Sequence, residues 1–150
     1  MTRIIESEEI KKAVIELFNK TNFHLEPSTE KCFEVLASDK NESPQGRNVF
    51  KQLLKNAQIS GNEELPLCQD TGFAVVFLEI GQDILIKGGF INEVINQAVA
   101  EVYEKKFLRK SMVDFPLTRR INTKNNTPAV IHTTLVPGDK LTITVMPKGG

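Results

Sequence analysis

The stretch "LPLCQDTGFAVVFLEIG", residues 65–81, divides the chain. Upstream of it, apolar residues recur at helical spacing. Downstream of Gly72 comes "FAVVFLEI", residues 73–80, rich in β-branched and aromatic side chains and suited to a strand with both faces covered. Cys68, Gln69, Asp70 and Thr71 stand directly ahead of that strand. A core strand does not need a thiol, an amide, a carboxylate and a hydroxyl as its lead-in. A reactive loop mounted on a rigid strand does.

Working outward, residues 8–20 predict an amphipathic helix with Ile10, Val14, Leu17 and Phe18 inward and Ser7 as N-cap. A second helix is expected over 29–37, with Cys32, Phe33, Val35 and Leu36 as its apolar residues, and a third over 46–57. "NESPQGR", residues 41–47, reads as a loop, and "ISGNEELP", residues 59–66, as a turn-rich connection. After the divide, "DILIKGG" is expected to pair with the preceding strand across Gly81-Gln82-Asp83. Gly88-Gly89 then turns into a long helix over 91–106, whose face is Ile91, Val94, Ile95, Ala98, Val99 and Val102. "DFPLTRRINTKNNTP" is polar and irregular, with Arg119-Arg120 read as solvated. Two strands, "AVIHTTLV" and "KLTITVMP", close the chain around the turn Pro137-Gly138-Asp139. Helices first, then strands around one long helix, predict an α+β (mixed α/β) fold: N-terminal helices followed by an antiparallel or mixed sheet packed with a long helix.

The bulk numbers bound the function. The chain has 150 residues, 40% hydrophobic and 25% charged, which is ordinary for a globular domain with a real core. Nineteen basic side chains balance nineteen acidic ones, which argues against nucleic acid and against an anionic membrane surface. "MTRIIESEEIKKAV" is not a signal peptide, because Glu6, Glu8 and Glu9 interrupt its apolar stretch, and no apolar run is long enough to span a bilayer. A cytoplasmic protein is expected. The two cysteines, Cys32 and Cys68, are then free thiols, or ligands, or one of each. The ending "VMPKGG" reads as a loop beginning after a strand, so the chain is expected to continue past residue 150.

Read from its neighbours alone, Cys68 leaves four roles open. It is a small buried hydrophobe, a nucleophile, a zinc ligand or an iron–sulfur ligand. A nucleophile needs a base, and His24 and His132 are the only histidines, the second lying mid-strand. A zinc site needs partners at close spacing, and an iron–sulfur site needs two or three more thiolates. Asp70 reads from its neighbours as an Asx turn that caps the loop. Arg109, in "EKKFLRKS", reads from these residues alone as a solvated charge at the end of the long helix.

Three segments in order narrow this. "LPLCQDTG" resembles the proline–x–cysteine–glutamine–aspartate–threonine–glycine signature of the iron–sulfur hydro-lyases, the class I fumarate hydratases and related L(+)-tartrate dehydratase alpha subunits. "FLRKSMVDFPLTRRINTKNNTPAVIH" is similar to that family's arginine–x–serine segment and its asparagine–threonine–proline–alanine stretch. "VPGDKLTITVMPKGG" resembles the strand pair leading into its glycine-rich loop. The resemblance runs from about residue 60 to the end, and residues 1–55 resemble the helical N-terminal region more loosely.

The resemblance implies a [4Fe–4S] cluster held by three cysteines, with Cys68 as the first ligand, the other two past Gly150, and Cys32 left in the core. It implies an iron without protein thiolate that acts as a Lewis acid on a departing hydroxyl. It makes Asp70 the catalytic carboxylate and a substrate-binding residue together with Gln69 and Arg109. The substrate is a small dicarboxylate, malate and fumarate or, alternatively, tartrate. Residues 1–150 become the N-terminal part of the alpha-subunit catalytic domain, with 1–58 helical and 59–150 sheet-containing. A beta (C-terminal) subunit or domain and a homo- or hetero-oligomer are the implied partners. Two other readings stand beside it: a non-catalytic subunit, and a thiol enzyme using Cys68 with His132. Gly149-Gly150 are expected to open a nest of backbone N–H groups for a carboxylate.

Overall fold

The computed structural model describes residues 2–149. The chain is α+β. In order, its elements are β1 (Arg3–Glu6), α1 (Ser7–Phe23), α2 (Pro27–Ser38), α3 (Pro44–Glu63), β2 (Phe73–Gly81) and β3 (Ile84–Lys87). Then come α4 (Ile91–Lys105), β4 (Val113–Asp114), β5 (Ile121–Asn122), β6 (Val130–Val136) and β7 (Leu141–Lys148). Two compact units result, one of residues 20–68 and one of the residues before and after that span. Among the described residues no helix is long and apolar enough to cross a membrane.

In the sheet unit β2 is the central strand. It pairs with β6 in parallel and with β7 antiparallel, so that Phe77 lies opposite both His132 and Thr144. Alternation puts Ala74, Val76 and Leu78 on one face, each no more than 1% exposed. The opposite face is only partly covered: Phe77 is 38% exposed and Glu79 is exposed. β2 therefore does not have both faces buried, as its continuous apolar run predicts. The helical contribution to this core follows the 3.6 period. α1 buries Ile10, Val14 and Phe18, and α4 buries Val94, Ile95, Ala98, Val99, Val102 and Tyr103. Asn96 of α4 accepts the Ala129 N–H at 2.7 Å, just ahead of β6.

The strand expected to follow β2 as its hairpin partner does something else. β3 pairs in parallel with β1, a strand that the sequence pattern does not announce, with Ile5 opposite Ile86. The reason lies in the backbone after β2. Gly81, Gln82 and Asp83 donate to Lys140, Val136 and Gly138 carbonyls at 2.9, 2.8 and 3.0 Å, so the turn is bonded to the β6–β7 connection. The two closing strands flank β2 instead of pairing with each other. The polar segment 114–128 is irregular as expected, apart from the two-residue pairing of β4 with β5.

In the helical unit α2 packs on α3, with the Phe33 and Phe50 rings 5.6 Å apart. Both helices open on a proline at the first turn, where the missing N–H costs nothing. The expected loop at 41–47 is half helix, because Ser43 caps α3 by accepting the Gly46 N–H at 2.9 Å. The expected connection over 59–66 is helical as far as Glu63. Gly61 fits inside the helix since a Cβ there would meet the His24 ring at 3.1 Å. Ser60, 2% exposed, anchors the turn by bonding the Phe23 carbonyl at 2.9 Å. Cys32 is exposed on α2, not in the core, and Val35 is 59% exposed, so the buried face of α2 is not the predicted one.

Candidate active site

Cys68 is the last residue of the helical unit. α3 ends at Glu64, whose left-handed conformation turns the chain. Leu67 is then fixed at both ends of its peptide: its N–H donates to the Asn22 carbonyl at 2.8 Å, and its carbonyl accepts from Asn56 Nδ2 at 2.9 Å. The next residue, Cys68, is an exposed free thiol. That differs from the buried-hydrophobe reading and leaves the sulfur open to a ligand. Among the described residues no three or more His, Cys, Asp or Glu side chains are grouped to hold a metal ion. A four-iron cluster takes three or four thiolates, so Cys68 fits as one ligand and these residues alone do not complete the set.

The sheet unit, by itself, carries Asp70, Arg109 and their neighbours. The Gly72 N–H donates to Asp70 Oδ1 at 3.1 Å, the Asx turn expected for that carboxylate. Gly72 has φ +63°, and a Cβ on it would lie 2.2 Å from the Lys148 carbonyl carbon, so only glycine fits. Gly149 touches the same carboxylate: a Cβ there would be 2.8 Å from Asp70 Oδ2. Gly150, the other half of the expected nest, lies outside the described residues.

Behind Asp70 sits a polar cluster that sequence reading missed. Thr71, 3% exposed, donates its hydroxyl to the Arg109 carbonyl at 3.1 Å. The Tyr103 hydroxyl lies 2.8 Å from the Thr71 carbonyl and 3.2 Å from that of Gly72. Asn126, fully buried at φ 59°, donates to the Gly72 carbonyl at 3.0 Å and accepts the Met112 N–H at 3.1 Å. Those two partners fix which way its amide faces. Burial pushes the Tyr103 phenol up to about 12, with the Asp70 charge adding to the rise. Tyr103 stays a neutral donor at physiological pH.

Arg109 is placed by the end of α4. Phe107 adopts a left-handed φ of 52°, and Leu108, 3% exposed, donates its N–H to the Tyr103 carbonyl at 3.1 Å. That closes the helix and sends Arg109 outward. A cavity of about 630 Å³ brings together Asp70, Arg109, Ser111, Arg120 and Lys148. Three cations thus line one cavity with one carboxylate, a composition that suits a small dianion better than a neutral or cationic ligand. Gln69 is exposed and does not line it. Arg119-Arg120 is not simply solvated: Arg119 lies 4.2 Å over the Phe115 ring, and Arg120 borders the cavity. Lys105 and Lys110 pair with Glu101 and Glu104. His132 stacks on Phe77 with centroids 4.9 Å apart, which accounts for it as a side chain of the exposed sheet face.

The chain matches the model of the family described as Fumarate hydratase (Fumerase) over residues 11–150. It is 30% identical over 147 residues to the anaerobic class I fumarate hydratase of Escherichia coli K12, covering 97% of this chain and 27% of that protein. The aerobic class I enzyme of the same strain is 30% identical over 134 residues, covering 89% of this chain and 24% of the relative. The L(+)-tartrate dehydratase subunit alpha of E. coli UTI89 is 29% identical over 116 residues, covering 75% and 37%. The chain spans about a quarter to two fifths of the length of the curated relatives it matches. The matched span takes in the cysteine motif, the Arg109 segment and the closing strands alike, and on that extent the chain belongs to the fumarate hydratase (Fumerase) family.

Proposed function

We propose that this chain supplies the dicarboxylate site of an iron–sulfur hydro-lyase that interconverts L-malate and fumarate. The observation that carries the reading is the cavity in which Asp70 shares walls with Arg109, Arg120 and Lys148. Dehydration of malate removes a proton from the carbon next to one carboxylate and hydroxide from the neighbouring carbon, leaving fumarate and water. Arg109 holds a substrate carboxylate with paired N–H donors, which draws electron density from the adjacent C–H. Asp70, oriented by the Gly72 N–H, receives the proton, and a hydroxyl residue from elsewhere in the enzyme works with it. Gln69, next to Asp70 but outside the cavity wall, keeps a donor role on the strength of the motif alone, its amide hydrogens going to a carboxylate or the substrate hydroxyl. Cys68 is one thiolate ligand of a [4Fe–4S] cluster whose other ligands come from outside these residues. When bound, that cluster supplies Lewis-acid chemistry at the departing hydroxyl.

In this reading residues 1–150 are the N-terminal part of the catalytic domain of a cytoplasmic alpha subunit working with a beta subunit or domain. A second substrate is favoured by one observation, the similarity to a tartrate dehydratase alpha subunit. Tartrate differs from malate by one hydroxyl, and a site that pairs that hydroxyl discriminates strongly.

The test is anaerobic turnover by the full-length enzyme with its partner subunit, reconstituted with iron and sulfide. Malate should yield fumarate, followed by its absorbance. Asp70→Asn should keep the cluster and lose about 10²- to 10⁴-fold in kcat. Arg109→Lys should raise KM by about tenfold, since a point charge replaces a bidentate fork. Turnover of tartrate alone would change the substrate. An Asp70→Asn enzyme with unchanged kcat would remove the assigned base.

A further inference from the structure

We propose that Thr71, Tyr103 and Asn126 are positioning residues, a buried polar knot that fixes the segment carrying Arg109 against the loop carrying Asp70. The inference rests on the hydro-lyase reading for its kinetics, but its geometry stands apart from that reading. Asp70 and Arg109 are 39 positions apart in sequence, and Arg109 follows a helix end, where segments fray most easily. Two links join the segments directly. The Thr71 hydroxyl holds the Arg109 carbonyl at 3.1 Å. Asn126 spans from the Gly72 carbonyl at 3.0 Å to the Met112 N–H at 3.1 Å. Tyr103 completes the knot, its hydroxyl within hydrogen-bonding distance of both the Thr71 and Gly72 carbonyls.

All three side chains are shut away from water, at 3%, 0% and 0% exposure. Their polar groups are matched to backbone groups of the segments they join. None of the three lines the cavity. They touch no substrate in this geometry and act through Arg109 and Asp70. The motif's threonine thereby has a partner outside its own loop. It ties the "CQDTG" loop to the "FLRKS" segment, and the asparagine of "NNTPA" does the same from a third place in the chain.

A hydrogen bond that orients a ligand-binding residue is worth roughly tenfold in affinity when lost. In the full-length reconstituted enzyme, Thr71→Val keeps the shape and removes the hydroxyl. It should raise KM for malate, and the dissociation constant for the unreactive dicarboxylate succinate, by about tenfold, with a smaller change in kcat. Thr71→Ser should restore both. In an Arg109→Lys background, adding Thr71→Val should change KM by less than about twofold, because the residue it positions is already altered. A merely structural threonine would lower the melting temperature and leave the folded fraction's KM unchanged, and that outcome overturns the proposal. So does a tenfold effect that persists in the Arg109→Lys background.

Amide hydrogen exchange separates this inference from the function it rests on. Thr71→Val should speed exchange at the Met112 N–H about tenfold or more, whether or not the enzyme turns over malate. Unchanged exchange there overturns the knot. Absent turnover with accelerated exchange overturns only the hydro-lyase reading. Should Thr71→Val not fold, Tyr103→Phe removes one hydroxyl from the same knot and is read by the same exchange measurement.

Discussion

A methyl group at position 149 would stand 2.8 Å from Asp70 Oδ2, closer than any relaxed contact allows. The backbone could accept alanine there, since no left-handed φ is needed. The side chain of Asp70 would have to yield instead. With Asp70 as the proposed base, Gly149→Ala should therefore cut kcat of the proposed full-length hydro-lyase by about tenfold or more, since small misplacements of such a group are costly. Its melting temperature should stay within a few degrees of the parent. A variant with full kcat would show that the Asp70 carboxylate has room to work elsewhere. At this scale the sequence was informative where chemistry is written in a short contiguous run. The Asx turn of Asp70 was legible in "CQDTG". Asn126 was not, because it stands in a polar run of three asparagines and its burial depends on a loop more than fifty residues away. Tyr103 was hidden differently: it continues the apolar stripe of α4, and nothing local tells a core phenol from a clamp.

Elements were legible in kind and misread at their ends. α4 was placed to within one residue because its stripe is unbroken. α3 extends past its sequence pattern at both ends, since Ser-Pro and Ser-Gly-Asn look like loop punctuation. The structure uses both as helix chemistry, one as a cap and the other as a close helix contact. The Ser43 cap can be weighed. Its hydroxyl accepts the Gly46 N–H at 2.9 Å on an exposed turn, so little else depends on it. Ser43→Ala should cost about 1 kcal/mol, or a fall of about 3 °C in melting temperature for a chain of this size. Thermal melts of the two proteins would show it. An unchanged melting temperature would mean that water satisfies the first turn of α3 as well as the serine does.

Whole-molecule properties were the least legible, because they depend on which strands find each other. The pairing of β3 with β1 and the placing of β2 between β6 and β7 rest on backbone bonds between distant turns, and the hydrophobic pattern carries no record of them. One such property has a sharp pH signature. Burial raises Tyr103 from 10.0 to about 12, so the folded chain keeps a proton that the unfolded chain has released. The stability this proton carries is whole below pH 10 and drains away as pH climbs to about 12. Lys11, raised by its hydrogen bond to Glu101, drifts the same way, while Glu101, lowered by Lys105 and Lys11, acts in acid instead. Both lie on the surface and are screened by salt. Melting temperatures between pH 9 and pH 12 in high salt should therefore fall for the parent, and the gap between it and Tyr103→Phe should narrow across that window. Parallel curves would mean that the phenol ionises as readily in the fold as outside it. That would contradict the dry surroundings in which it holds the Thr71 and Gly72 carbonyls.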